Sequence, residues 1–170
     1  MKNVFTGVIV LVAMFCNCSK SYSEEMATPM EVMDKVKLAI KLIEDEGEEA
    51  ALPKIRDKKG PFVWKDSYVY VLHMDGMMVA HPYQPELEGI NQMGLKDVKD
   101  KAFFVEMYDI AKENDSGWID YLWVKPNRLS PSLKVAFFAK VPGKNIICLA
   151  GIYDLRKEDV LKMIKRMGKS

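Results

Sequence analysis

His81 closes an apolar run that begins at Met77, and Pro82 follows it directly. An imidazole placed where a chain leaves a sheet can donate to a carboxylate, and it titrates near neutral pH. The same ring could equally hold the Pro82 turn through loop backbone. Tyr121 and Trp123 are two residues apart and so share a face of any strand they occupy. They offer a phenol and an indole donor on apolar bodies. Trp118 falls on the opposite face of a regular strand, where core packing is the simpler reading. Tyr68 and Tyr70 repeat the two-residue spacing. Lys134 opens an apolar stretch and Arg128 lies in the loop before it. A lysine there is a point charge with three donors for a carboxylate, or a solvated strand end. Trp64 could close one side of a cavity or staple a helix to a sheet. The chemistry these nine residues share is recognition of a small anion. No Ser-His-Asp order, phosphate loop or carboxylate pair points to catalysis. His73 and His81 flank the Asp75-Gly76 turn without a convincing third metal ligand, and Asp75-Gly76 itself reads as turn geometry. Neither a cofactor nor a metal is expected, and the chain is not read as an enzyme.

The elements that must position these residues are mixed. Met33, Val36, Ile40 and Ile43 recur at helical spacing, after a Thr28-Pro29-Met30-Glu31 start that fits a capping box. This helix runs to about Glu46. A short helical turn follows over Glu48 to Leu52, and Pro53 is expected to disturb its continuation. Ser67 to Met74 and Met77 to His81 form a hairpin around Asp75-Gly76. Tyr83 to Lys99 is a long loop, of the kind that carries function. A second helix is expected over Asp100 to Glu113. Three strands follow: Gly117 to Val124, Lys134 to Val141 and Asn145 to Tyr153. An amphipathic helix from Arg156 to Met167 closes the chain. This order implies an α+β domain with one antiparallel sheet.

The 170 residues carry 25 Lys plus Arg against 24 Asp plus Glu, a net charge of +1. That balance gives no electrostatic footprint for nucleic acid. The distribution is uneven. Residues 1–23 hold Lys2 and Lys20 and no acid, and Val4 to Cys16 is apolar except for Thr6 and Gly7. A basic start, a short apolar run and the small residues of Ser21-Tyr22-Ser23 read as a secretory signal cut near Ser23. An uncleaved anchor, or lipid attachment at Cys16 or Cys18, are the alternatives. Cleavage leaves 147 residues with a net charge of −1 and Cys148 as the one clear mature cysteine, read as a buried core thiol. The expected division is a signal over 1–23, a helical segment over 24–59, a core over 60–155 and a terminal helix over 156–170.

From Gly60 onward the chain resembles a known family. The residues are Phe62 to Val71, Asp75-Gly76, Ala80-His81-Pro82, Pro85-x-Leu87-x-Gly89, and Leu95 with Asp97. Gly117-Trp118-Ile119-Asp120-Tyr121-x-Trp123-x-x-Pro126 follows, then Pro131-Ser132-Leu133-Lys134, Val141-Pro142-Gly143 and Gly151-Ile152-Tyr153. In order and spacing this series is similar to the single Cache domain family, second type, in a stand-alone exported form. Leu133 stands where proline is usual, and Asn127 where glycine is common. The resemblance implies a PAS-like five-stranded antiparallel sheet with a long N-terminal helix. It also implies a periplasmic or secreted sensing domain for small carboxylates such as pyruvate, lactate, acetate or propionate. Receptors of this family carry transmembrane helices on both sides, and this chain shows no second span. The expectation is therefore a binding protein that works with a membrane receptor, a histidine kinase or a transport partner. The alternative is a ligand-free exported adaptor, with the first helix pairing in a homodimer.

Overall fold

The computed structural model describes residues 25–168. The expected signal, its expected cleavage site and both early cysteines lie outside them.

Helix α1 spans Pro29–Glu46. Thr28 Oγ1 accepts the Glu31 N–H at 3.3 Å, and the Glu31 carboxylate accepts the Thr28 N–H at 2.8 Å, the reciprocal box that the sequence predicts. Its fully buried stripe is Val32, Val36, Ala39 and Ile43, with Met33 and Ile40 on the shoulder. Gly47, at φ +81°, turns the chain into α2, Glu48–Arg56. This helix passes through Pro53 instead of stopping near Leu52. Proline removes one N–H bond, but the last turn has its own anchors. Ala51 and Ile55 are buried, and Arg56 binds Glu88 at 2.7 Å and the Val79 carbonyl.

The strands are β1 (Val63–Trp64), β2 (Ser67–His73), β3 (Met78–Ala80), β4 (Ser116–Val124), β5 (Pro131–Lys140) and β6 (Ile146–Tyr153). They form one antiparallel sheet, with β1 and β3 both pairing β2, followed by β6, β5 and β4. Five strands were expected, and β1 adds a two-residue edge. β5 begins at Pro131, three residues before the expected start, because Pro131 pairs with Val124 and extends the β4–β5 ladder. Helix α3 spans Phe103–Glu113 and begins later than Asp100. Asp100 sits at φ +62°, a left-handed conformation that cannot open a right-handed helix. Helix α4 spans Lys157–Met167.

Strand alternation divides the interior into two cores. Val69, Val71, Val135, Phe137, Cys148, Ala150 and Ile152 face α1. Tyr68, Tyr70, Ile119, Tyr121, Ala136, Phe138 and Leu149 face α3 and the loop before it. Central β6 is buried along its whole length. Burial pushes the Cys148 thiol up, as a core thiol requires.

One buried ion pair ties the ends together. Lys125 Nζ lies 2.9 Å from Asp66 Oδ2, with side chains 8% and 1% exposed. The other Asp66 oxygen accepts the Ala27 N–H at 2.7 Å, just before α1. Burial works against the Lys125 ammonium, but Asp66 and Asp154 outweigh it and hold its pKa above the usual value. Removing one partner strands the other charge. Lys125→Met should lower stability by about 3 kcal/mol in denaturant titration, and adding Asp66→Asn should recover part of that loss. Equal losses in the single and double variants would show that the pair does not act as a unit.

Candidate anion site

Lys134 is the fourth residue of β5, not its first. In the register it lies opposite Tyr121 of β4 on one side and Tyr153 of β6 on the other. Even-numbered β5 residues face α3, so the side chain enters the second core, where it is 1% exposed. Its stem crosses β6 over Gly151. A Cβ at that glycine would come within 2.8 Å of Lys134 Cγ and closer still to Cε. Gly151 thus opens the track on which the lysine lies.

The ammonium ends in an aromatic cage. Nζ lies 4.3, 4.9, 5.1 and 5.9 Å from the ring centroids of Tyr68, Tyr70, Tyr153 and Tyr121. Its hydrogen bond goes to the Tyr68 hydroxyl at 3.1 Å. Among the described residues no carboxylate pairs with it, and burial alone pulls its pKa down to about 7. Four ring faces partly offset the lost hydration but do not neutralise the charge.

His81 stands beside this cage, 2% exposed, with its ring 4.9 Å from that of Tyr68 and 5.5 Å from that of Tyr70. Of the two roles weighed for it, the structure shows the turn-holding one. Nδ1 accepts the N–H groups of Tyr83 and Gln84 at 3.2 and 2.9 Å, which pins the turn after Pro82. Burial, and then the charge of Lys134, push its pKa down to about 3. The ring is therefore neutral, and with Nδ1 accepting, its proton is on Nε2 as a donor. The His81 N–H donates to Glu88, which also binds Arg56, so α2 braces this corner.

Tyr70 and Tyr121 share a hydrogen bond at 2.8 Å. Phe103 stacks on Tyr121 at 4.1 Å and meets Trp123 edge-on at 5.8 Å. The cavity enclosed here is lined by Lys134, His81, Tyr68, Tyr70, Tyr121 and Trp123, with Met78, Leu87, Phe103 and Phe104 completing the wall. A water centre can range over about 10 Å³ of it, the space of one ordered water.

Six of the nine candidate residues thus converge. Three do not. Trp118 lies on the other sheet face against Phe137 at 5.2 Å, as strand alternation requires. Trp64 packs under Lys35 of α1, so it staples the helix instead of closing the cavity. Arg128 stays in the β4–β5 loop, outside the cavity lining. Phe103, Phe104, Leu87 and Gly151 were missed. Leu87 and Gly151 stand among the residues that carry the resemblance, without a site role; the paired Phe103-Phe104 at a helix start was a further signal, since two successive aromatics cannot both serve a narrow stripe. Asn127, where glycine is common, adopts φ +60°, a conformation asparagine tolerates better than most side chains.

The lysine's environment fixes a pH dependence. The unfolded lysine titrates near 10.5 and the folded one at about 7. Between those values the unfolded chain holds more protons, so this group makes stability rise with pH from about 7 to 10.5. His81, also depressed, acts lower: stability falls as pH drops from 6.5 towards about 3. Lys134→Met should raise stability at neutral pH by about 1–4 kcal/mol and abolish the alkaline rise while keeping the acid fall. A variant less stable than wild type, measured by thermal and denaturant unfolding at neutral and alkaline pH, would overturn the account of an uncompensated charge.

The profile of single Cache domain 2 matches residues 19–167. A methyl-accepting chemotaxis protein, McpP of Pseudomonas putida, is 27% identical over 88 residues, 52% of this chain and 16% of that relative's length. The periplasmic sensor domain of a chemotaxis protein superposes with a TM-score of 0.66 at 27% identity, covering 75% of this chain and 95% of its own. A Cache chemosensory domain studied for carboxylic acid recognition gives 0.66 at 23%, covering 74% and 92%. A methyl-accepting chemotaxis protein from Vibrio parahaemolyticus gives 0.62 at 21%, covering 77% and 89%. The last two likenesses speak for the fold. The α+β architecture, the antiparallel sheet and the match over nearly the whole chain lead to one assignment: this protein belongs to the single Cache domain family, second type, a family of ligand-sensing domains.

Proposed function

We propose that the chain is an extracytoplasmic binding and sensing protein for a small organic anion, in the class of pyruvate, lactate, acetate or propionate. The observation that carries this reading is Lys134, a buried ammonium with hydrogen bonds to spare and no carboxylate among the described residues. A ligand carboxylate would supply the missing charge. Neutral His81 would donate a second hydrogen bond from Nε2, and Tyr70, Tyr121, Tyr68 and Trp123 would exclude water and strengthen both. The carboxylic acid recognition of one structural neighbour and the chemotaxis role of the curated relative are in keeping with this. A cleaved signal would deliver the protein to the periplasm, where a membrane receptor, histidine kinase or transport partner would read its state. No helix among the described residues is long and apolar enough to cross a membrane.

A second reading, a ligand-free adaptor or dimerisation module, draws on one observation: the cavity has room for about one water. Packing that tight is what a filled core looks like. A filled core has no use for an unpaired lysine, however, and this favours the anion.

Calorimetry with the four carboxylates decides between them. At least one should bind, and Lys134→Met should abolish binding. Only the charged lysine pairs with the anion, so Kd should rise about tenfold per pH unit above about 7. Absence of binding by all four, or binding that Lys134→Met leaves intact, would refute the proposal, and a concentration-dependent dimer would then support the adaptor.

A further inference from the structure

The anion cavity is closed on almost every side. Eight of its ten lining residues are buried, and only Leu87 and Trp123 are half-buried. Of these two, Trp123 also lines an open groove of about 140 Å³ on the outside. Lys96, Asp97 and Val98 of the long loop form one bank of this groove, and Leu122 and Val124 of the edge strand β4 form the other. Trp123 therefore has the cavity on one side and the groove on the other.

A second chamber also touches the cavity, through Tyr68. Tyr83, Gln84, Lys125 and Arg128 are among its lining residues, and Arg128 could draw an anion there. The wall between is buried, however. Tyr68 is 2% exposed, packs against the rings of His81 and Tyr83 at 4.9 and 5.1 Å, and accepts hydrogen bonds from Lys134 and Tyr153. Trp123 is held by less. It meets Phe103 and Tyr121 edge-on at 5.8 and 6.2 Å, and its side chain shares a hydrogen bond with Tyr68. A ring that already reaches solvent can change rotamer without opening a hole in the core, and such flips are fast.

The groove has its own cation. Lys96 is exposed and pairs with no acid among the described residues. Its neighbour Asp97 is committed elsewhere, accepting the N–H groups of Lys99, Lys101 and Leu122 at 2.8, 3.0 and 3.0 Å. Those bonds tie the loop to β4 and fix both banks.

We infer that the groove is the entrance to the anion site, with Lys96 gathering small anions at its mouth and the Trp123 ring as the gate that must turn aside. This rests on the anion reading of the Lys134 cavity.

Stopped-flow mixing of the whole chain with acetate, propionate, pyruvate or lactate tests it. Binding fixes Lys134 in its charged form, so at about pH 8 each bound acid takes up nearly one proton, which phenol red reports without relying on any tryptophan. Trp123→Ala should raise kon and koff together, each about tenfold, because a gating step slows both directions. Lys96→Glu, at an exposed position outside the cavity wall, should lower kon alone, by about threefold at about 10 mM salt and hardly at all at about 0.5 M. Tyr83→Ala should leave kon unchanged. A rise in koff alone for Trp123→Ala would make the ring a contact and not a gate. A kon indifferent to Lys96→Glu at low salt, or raised by Tyr83→Ala, would move the entrance elsewhere. Each of these outcomes overturns the passage and leaves the anion reading standing. No proton uptake and no calorimetric heat with any of the four acids would overturn both.

Discussion

The structure turns on a cation that has been taken out of water without being paired. Desolvating an ammonium costs several kcal/mol in a folded protein. Most chains avoid this by supplying a carboxylate, as this one does for Lys125. At Lys134 it supplies four tyrosine rings and a hydroxyl instead. The two lysines make an internal comparison. Lys125, nearly buried but facing Asp66 and Asp154, has its pKa raised; Lys134, fully buried and facing none, has it lowered. The same residue type thus holds the fold together at one place and is left uncompensated at another, and only the second leaves recognition capacity unspent.

Keeping such a lysine in place requires the rest of the fold. The sheet must be buried on both faces, so that one face can carry the apolar core under α1 while the other carries polar groups in a dry setting. Gly151 must lack a side chain, or the lysine stem has no track. The His81 turn must be pinned by its own Nδ1 and braced by Glu88 and Arg56, so that the ring stays neutral and oriented. The long loop closes this side with its own hydrogen bonds. Burial works against the Asp97 carboxylate, but the N–H groups of Leu122, Lys101 and Lys99 outweigh it, hold its pKa down and stitch the loop to β4. Stability is thus concentrated around the site in compensation for the charge inside it.

Local chemistry was legible in the sequence, and cross-strand geometry was not. The capping box at Thr28, the Asp75-Gly76 hairpin and the shared face of Tyr121 and Trp123 all depend on residues a few positions apart. Lys134 was recognised as a candidate but read as a strand opener, because Pro131 looked like part of a linker. Its true depth depends on the ladder with β4. Gly151 entered only as part of a motif, since its role is defined by a side chain from the neighbouring strand. The Asp66–Lys125 pair was invisible for the same reason. Trp64 and Trp118 show the sheet face deciding between two roles left open by aromatic type: Trp118 packs in the core and Trp64 staples α1.

The tight cavity bears on how a bound anion would be felt elsewhere. Space for one water means that a ligand cannot enter without moving a wall. The walls are not equally free. Tyr121 is stacked on Phe103 and bonded to Tyr70, and His81 is pinned twice. Tyr68, packed against His81 and Tyr83, accepts a hydrogen bond from the lysine that the ligand would claim. Its hydroxyl also meets Tyr153, whose ring lies 5.9 Å from Lys125 Nζ, and Lys125 grips the aspartate that fixes Ala27 at the entry to α1. Contacts of known length thus run from the anion cage to the start of the longest helix. Loss of the Lys134 hydrogen bond at Tyr68 would therefore be felt first at Tyr153, the next group along that chain.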